Sequence, residues 1–598
     1  MSMPAVIESL SHILKKSVYE VPKYQRNYAW EEPQLQDLWE DLEAIDPHKG
    51  PAHFTGTIVV EKRESLTKYA KTYTRYKIVD GQQRLATLTI LLFCIYERLM
   101  RFSRKTVEIK KTARNIMNEY VKDEGTGVYM LKLNGSDDAF LKDVILRVTV
   151  AETVAKHPQT RSELRLRNAK NFFRKKLSEK SPKYLTDLLN KTLNWLQFIR
   201  YEVGQEVEAG LLFEAMNDRG KPITQVDKIK NYLVYVAYKK QDEQLANFVN
   251  EAWGEIYRNL SEAEDKGFEE DDLLRYHWIT YSDAHETYSD VHRQLKQLIN
   301  LKNEGVLKSA KNYVDSLKET SYVFREIISP SNKNNFKDWQ KSVHINTIKE
   351  HLESLHRLRT IAVFLPLLIA SRITFKSSPE VFAEIAKLCE LYAMRIFKIA
   401  NRRADIGKYT LYSLAHEVFN ARTLDELPKR EIYDKVVSEF RSFIEDYCDD
   451  KELERNLSRS DLFPGWLEEY EVKYLLYEYE RKKRKEHKEP PPSWDEVEKD
   501  ITIEHILPET PERSEQWSKG KRKTHRECVN RLGNLTLATR EWNSTLGNKF
   551  FLKKKRQYKK STLLVQRELT EYNEWWKNQI EKRTRKLIDF AINRWGLA

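Results

Sequence analysis

At 598 residues the chain is too long for one ordinary core, and a prior of roughly 150 residues per domain gives about three or four domains. Apolar residues make up 40% and charged residues 32%, which excludes a disordered chain and points to a soluble, highly charged globular protein. Lys and Arg number 103 against 90 acidic residues, and the net charge of +13 suits an acidic partner such as nucleic acid as well as plain solubility.

In chain order, "MSMPAVIESLSHILKK" lacks the apolar core of a signal peptide. "YEVPKYQRNYAWEEPQLQDLWEDL" then places Gln25 and Arg26 in an extended stretch before a helix. "GTIVVEK" and "YKIVD" are β-rich runs. "YKIVDGQQRLATLTIL" predicts a strand, a tight turn at Gly81 and a helix. Leu85, Leu88, Leu91, Leu92, Ile95 and Leu99 recur at helical spacing, which predicts an amphipathic helix. Residues 105–235 read as mainly helical, with a turn at Asp218–Gly220 and a last helix from Thr224; residues 236–430 read as almost wholly helical. "TILLFCIY" and "IAVFLPLLIA" fall short of the roughly 20 apolar residues a membrane span needs, so buried helix and no membrane partner are expected. "YERKKRKEHKEPPPSW" breaks the helical pattern, because three prolines cannot continue a helix. Two short strands, "ITIEHILPE" and "RLGNLTLAT", follow, separated by a polar loop over 509–530. A helix opens at "REWNSTLGNKFF". Basic runs "KGKRK" and "KKKRQYKK" surround this unit and suit a phosphate backbone. Cys94, Cys389, Cys448 and Cys528 form no C-x-x-C pair, so neither a disulfide framework nor a cysteine zinc site is indicated, and the expected location is a reducing cytoplasm.

Two constellations carry chemistry. In the strand–loop–strand–helix unit, His505 suits a general base near neutral pH. Glu504 and Asn543 supply hard oxygen ligands for Mg²⁺ or Mn²⁺, and Asn534 would pin the loop or the histidine. Neighbours in a regular strand face opposite ways, so Glu504 and His505 share a site only if the strand bends; Pro508 places a strand end nearby. Taken alone, the Glu-His pair reads as surface charge with asparagines capping turns. In the N-terminal constellation, the helix after Gly81 offers free backbone N–H groups to a phosphate. Arg84 adds a fork of donors, Asp80 would hold a metal or water, and Gln82 and Gln83 would bond phosphate or position water. Gln25 and Arg26 would pack on that site. No G-x-x-x-x-G-K-[ST] loop is present.

The C-terminal matches "EHILP", "GNLTL", "NSTLGNK", "KKKRQY" and "EWW" resemble the HNH, or His-Me finger, nuclease domain of GmrSD-type modification-dependent restriction enzymes over residues 430–595. "VPKYQRNYAW", "FTGTIVV", "IVDGQQRLATL" and "LLFEAMNDRGKPITQVDKIKNYL" resemble the GmrS-type domain over residues 8–235. The resemblance implies a predominantly α-helical, multidomain α+β chain. It would have a ParB/sulfiredoxin-like NTPase and DNA-sensing core (1–235), a helical coupling region (236–430) and a ββα-metal nuclease embedded in helices (431–598). It also implies that Asp80, Gly81, Gln82, Gln83 and Arg84 bind the nucleotide with Gln25 and Arg26 close by, and that Lys549 contacts phosphate. Asn217, Arg219 and Gly220 are family positions read as turn formers.

The function expected is a type IV-like, anti-phage restriction endonuclease. It would use Mg²⁺ or Mn²⁺ and an NTP, with GTP favoured, and would act on modified phage DNA, with a homodimer as one route to cutting both strands. The alternatives are an RNA-cutting, toxin-like nuclease and a nucleotide-switched DNA-binding protein with a vestigial nuclease site. A helical scaffold with basic faces would explain the composition but not the ordered motifs.

Overall fold

The structure is a computed structural model and describes residues 6–47, 50, 52–102, 106–147, 157–203, 224–264, 266–282, 291–511 and 518–597. It divides into two compact units, Met1–Arg275 with Tyr288–Arg325, and Tyr276–Thr287 with Glu326–Ala598. The helical stretch 236–430 is shared between these units. The turn expected at Asp218–Gly220, with Asn217 and Arg219, lies outside the described residues.

The first unit is built on a six-stranded mixed sheet. Its strands are β1 (Val6–Ser9), β2 (Ser17–Glu20), β3 (His53–Lys68), β4 (Lys71–Asp80), β5 (Leu131–Lys132) and β6 (Leu196–Val203), in the order β1-β6-β3-β4-β2-β5. β3 and β4 form a two-residue hairpin. Tyr69 and Ala70 take φ of 45° and 60°, the left-handed pair that matches strand twist. β6 pairs parallel to β3 from His53↔Leu196 to Glu61↔Val203. This strand departs from the mainly helical reading of 105–235. Buried Leu196 and Phe198 alternate with half-buried Gln197 and Ile199 at the start of "LQFIRYEV", and pairing with β1 and β3 supplies the backbone hydrogen bonds that a helix would have made internally.

Helix α1 (Glu32–Ala44) lies between β2 and β3 in sequence, and helix α2 (Gln82–Phe102) follows β4. Every residue of α2 from Leu85 to Ile95 is buried, so α2 is a central helix and not the one-sided helix its leucine spacing suggests. Thr87 and Thr89 tolerate burial because their hydroxyls donate to the carbonyls of Gln83 and Leu85, at 2.8 Å each. α3 (Arg161–Leu177), α4 (Gln225–Lys239) and α5 (Glu243–Glu264) complete the elements used below.

The second unit is mostly helical. The apolar run "IAVFLPLLIA" lies in α6 (Ile361–Thr374) and is largely buried, as expected for a core helix. The basic run Arg481–Lys485 is the last part of α7 (Glu469–His487), which stops where Lys488 turns left-handed, φ 57°, ahead of the prolines. A short helix α8 (Trp494–Asp500), closed by a Ser493–Glu496 capping box, leads into β7 (Ile501–His505). β7 pairs antiparallel with β8 (Leu535–Thr539). Between them the expected loop holds α9 (Lys519–Cys528), capped by Ser518. After β8 come α10 (Arg540–Leu546), α11 (Phe551–Tyr558) and α12 (Lys577–Arg594). Among the described residues no helix is long and apolar enough to cross a membrane.

Candidate active site

β7 delivers His505 at its last position. The register runs Thr536↔Glu504 and Leu535↔His505 without a bulge, so the strand stays regular through both residues. The His505 side chain is 12% exposed. Its Nε2 has no hydrogen-bond partner and lies 3.8 Å from Glu509 Oε1. Phe463 lies 5.8 Å away, ring centre to ring centre. Burial pushes the imidazole pKa below its ordinary value, against the opposing pull of Glu509 and Asn530. A neutral imidazole with a free Nε2 is the state a general base needs.

The backbone behind His505 is fixed by Asn534, which is 0% exposed. Its Oδ1 accepts from Leu507 N at 2.8 Å and Trp575 Nε1 at 3.0 Å; its Nδ2 donates to Leu507 O at 2.9 Å and Val529 O at 2.8 Å. The whole amide is spent on the chain that follows β7, so Asn534 pins the loop and not the imidazole. The preceding glycine has its own reason. A Cβ on Gly533 would sit 2.1 Å from Ile580 O, so α12 can approach only glycine here. Arg583 of α12, fully buried, donates to the carbonyls of Gly533 and Leu535 at 2.9 and 2.6 Å.

Asn543 on α10 reaches back to β7, its Nδ2 donating to Ile503 O at 3.2 Å. That bond fixes the amide and directs Oδ1 away from the Ile503 carbonyl. Glu504 is held differently. Its Oε1 meets Lys554 Nζ at 2.5 Å, with side chains 5% and 0% exposed respectively. Burial raises the Glu504 pKa and lowers that of Lys554, and the attraction between them opposes both shifts. The bend that would bring Glu504 and His505 to one face is absent, because the register is regular and the carboxylate is drawn to α11. As oxygen donors, Glu504 and Asn543 fit a hard divalent cation in type; Lys554 already supplies a positive charge to that carboxylate. No cluster of three or more His, Cys, Asp or Glu side chains able to hold a metal occurs among the described residues. Lys549 Nζ donates to Thr545 O at 2.6 Å at the end of α10. Exposed Lys521, Arg522 and Lys523 on α9 and Lys553 and Arg556 on α11 add a basic surface to the unit.

The N-terminal constellation sits where β4 turns into α2. Gly81 has φ 94°, and a Cβ there would lie 3.1 Å from Ile58 Cγ1, so the turn requires glycine. Arg84 crosses Gly56, where a Cβ would lie 3.0 Å from its Cζ, and donates to Thr57 O at 3.2 Å. The two glutamines do something other than expected. Gln82 Nε2 donates to Arg26 O at 3.1 Å. Gln83 Oε1 accepts from Ala29 N at 2.8 Å, and its Nε2 donates to Asn27 O at 3.1 Å. Both are buried and hold the 26–29 loop. Gln25 likewise spends its Nε2 on Val79 O at 2.8 Å.

The loop so held carries Arg26 into the site. Burial opposes its charge, but Asp227, Glu270, Tyr257 and Asp80 around it raise its pKa overall. Asp80 is pushed up by burial, against the pull of Arg84, the Gly81 N–H and Arg26. Asp227 sits in the first turn of α4 and accepts from Tyr257 Oη at 2.5 Å. Asp227, Glu270 and Tyr257 were not singled out from the sequence. They lie about 150 to 190 residues beyond the D-G-Q-Q-R turn, and only the folded chain joins them to it.

The GmrSD restriction endonuclease N-terminal domain matches residues 8–234, and the GmrSD restriction endonuclease C-terminal domain matches residues 447–590. Together the two matches cover more than half of the chain. The chain belongs to the GmrSD restriction endonuclease family. No curated protein matches it. Membership makes the chain a restriction nuclease of the type IV-like kind, with DNA as its partner. Each matched GmrSD domain contains one of the two sites just described, His505 with Asn534 and Asn543 in the second, Asp80 with Arg84 and Arg26 in the first. Phe463, Asn530 and Lys554 also border the nuclease-domain residues and were missed in the sequence. Lys554 had a legible signal, since Phe551, Lys554 and Tyr558 share the buried face of α11.

Proposed function

We propose that the chain cuts modified phage DNA at an HNH-type centre, with His505 as general base and a nucleotide site at the β4–α2 turn controlling the cut. The observation that carries the reading is the His505 imidazole, which is buried, shifted towards its neutral form and unpartnered at Nε2. In this reading Nε2 takes a proton from the attacking water as the new P–O bond forms. The Asn534 amide holds the backbone after β7, so the imidazole keeps its aim while the ring itself stays free to accept the proton. Asn543 would offer its Oδ1 to a Mg²⁺ or Mn²⁺ ion, which when bound supplies positive charge to the leaving oxygen, and Glu504 would join it only by leaving Lys554 and turning to the His505 face. Lys549 and the exposed lysines and arginines of α9 and α11 would track the phosphate backbone.

At the N-terminal site a triphosphate would meet the start of α2 and the guanidinium groups of Arg84 and Arg26. The glutamines hold the Arg26 loop in place for it. Because Arg26 is electrostatically tied to Asp227 and Glu270, an incoming phosphate would compete with those carboxylates for it, and that difference between free and bound states is what a gate requires. GTP is the nucleotide we favour.

The test is a cleavage panel with the full chain, Mg²⁺, and modified phage DNA, unmodified phage DNA and single-stranded RNA, each with and without GTP. Cutting confined to the modified DNA and altered by GTP is the expected result. Equal cutting of every DNA, or cutting of RNA alone, would contradict the reading.

A further inference from the structure

The hairpin of β3 and β4 runs on past the rest of its sheet. β6 pairs with β3 only as far as Glu61↔Val203, and β2 pairs with β4 only from Ser17↔Thr74. Among the described residues, 62–68 and 71–73 therefore have no strand partner but each other, in the register Leu66↔Tyr73, Thr67↔Thr72 and Lys68↔Lys71. The three residues before Thr74 carry the turn about 10 Å clear of β2. Tyr69 stands at that turn, 77% exposed. Over residues 62–73, Lys62, Arg63, Lys68 and Lys71 face a single acid, Glu64. The arm is clamped at its base. Leu66 and Tyr73 pack with Val18, Val128 and Met130. Tyr73 Oη and Lys71 Nζ both donate to Oδ2 of the buried Asp123, at 2.6 Å each. An exposed tyrosine is ordinary on a protein surface. Here the clamp holds the ring out in solvent, with the Lys68 ammonium 5.8 Å from its centre, so burial of the ring contributes little to the fold. A basic arm with an aromatic tip is built to meet something else.

We propose that this arm enters the major groove of duplex DNA with Tyr69 leading. The inference rests on DNA as the partner of a restriction nuclease and on neither of the two chemical sites proposed above. Charge selects the partner: Lys62 and Lys68, both exposed, suit the phosphates that border a groove. Shape selects the groove. A two-stranded ribbon fits the major groove, about 12 Å wide, and is excluded from the minor groove, about 6 Å wide. The arm's projection of about 10 Å matches the major groove's depth of about 8.5 Å. Chemistry suits base edges. The exposed hydroxyls of Thr67 and Thr72 lie 3.1 Å apart across the ribbon, and with the Tyr69 hydroxyl they can both donate and accept. Asp80 lies at the opposite end of β4, nine residues and about 30 Å from Lys71, so the arm is a separate place from the β4–α2 site.

The test is equilibrium binding of the full chain to a fluorescein-labelled DNA duplex of about three helical turns, followed by anisotropy in EDTA so that nothing is cut. Wild type, Tyr69→Ser, Lys62→Ala and Lys68→Ala are compared, with thermal unfolding to verify folding. All three side chains project from the surface, so the variants should unfold as wild type does. Tyr69→Ser is expected to weaken binding about tenfold. Each lysine variant should weaken it a few-fold and make the fall of log affinity with log salt shallower by about one. Methyl green, which fills the major groove, should compete with wild type and lose most of that effect on Tyr69→Ser, while netropsin, which fills the minor groove, should leave the arm's contribution intact. Unchanged affinity in the folded variants, competition by netropsin alone, or no binding of wild type to the duplex would overturn the proposal. Failure of the nuclease reading would look different, because it would show in cleavage and leave binding in EDTA unchanged.

Discussion

The nuclease centre and the β4–α2 site treat their reactive groups in opposite ways. At the nuclease centre the candidate base has a free nitrogen, and the amide beside it in function, Asn534, makes four hydrogen bonds to the loop after β7, to Val529 and to Trp575. At the β4–α2 site Arg26 already stands among carboxylates, and Asp80 already feels two arginines. The first arrangement is set for water and needs little rearrangement. The second is neutralised within itself and changes only when a ligand with comparable charge competes. The difference suits the two jobs proposed for the two domains, one reacting and one responding.

The sharpest way to break this comparison is at Asn534. Asn534→Ala removes four hydrogen bonds and leaves buried N–H and C=O groups unpaired, which should cost on the order of 3 kcal/mol or more of stability in the second unit. Thermal unfolding should show it, with cleavage lost alongside. A variant that keeps wild-type stability but loses cleavage would mean that Asn534 touches the reacting groups directly. At the other site, Arg26→Ala should weaken nucleotide binding about tenfold to a hundredfold by equilibrium titration, the range of a hydrogen bond to a charged group. Asp227→Asn should act in the opposite direction, since it frees Arg26 from a competitor.

The acid dependence of cleavage sharpens the comparison further. Burial lowers the His505 pKa, so the imidazole stays neutral below 6.5 and activity falls only as pH drops through that lowered value. The same sign applies to folding. The buried neutral ring contributes stability that is present above its unfolded pKa and is lost as pH falls. A profile of kcat/KM whose acid limb lies at or above 6.5 would go against the buried base. The smallest effect is expected at Gln83. Its bonds run to the loop backbone, so Gln83→Ala should raise the nucleotide KM a few-fold and leave kcat nearly unchanged. A large fall in kcat would return Gln83 to the phosphate.

Much of this was legible in the sequence, and for physical reasons. Gly81 announced its turn because only glycine fits a φ of 94° against Ile58, and "GNLTL" announced a strand behind a buried asparagine. Residue type also revealed which positions could carry chemistry. What the sequence did not reveal was how each polar side chain is spent. Gln82, Gln83 and Asn534 have the chemistry of ligands, and the fold uses all three to hold loops. Glu504 was read with His505, and the regular register of β7 sends its carboxylate to a lysine 50 residues on. β6 was lost among helices because its partner, β3, is more than a hundred residues away in sequence. Such pairings are long-range, and local pattern carries only half of each.

The central claim is that the free His505 nitrogen does the chemistry in a centre whose DNA contacts lie elsewhere. Single-turnover cleavage of modified DNA by wild type and His505→Ala, with DNA affinity measured in parallel, tests it most directly. The account predicts a loss of about a hundredfold to ten-thousandfold in cleavage rate with DNA affinity unchanged. Cleavage within a few-fold of wild type, or a loss matched by an equal loss of DNA binding, would contradict it.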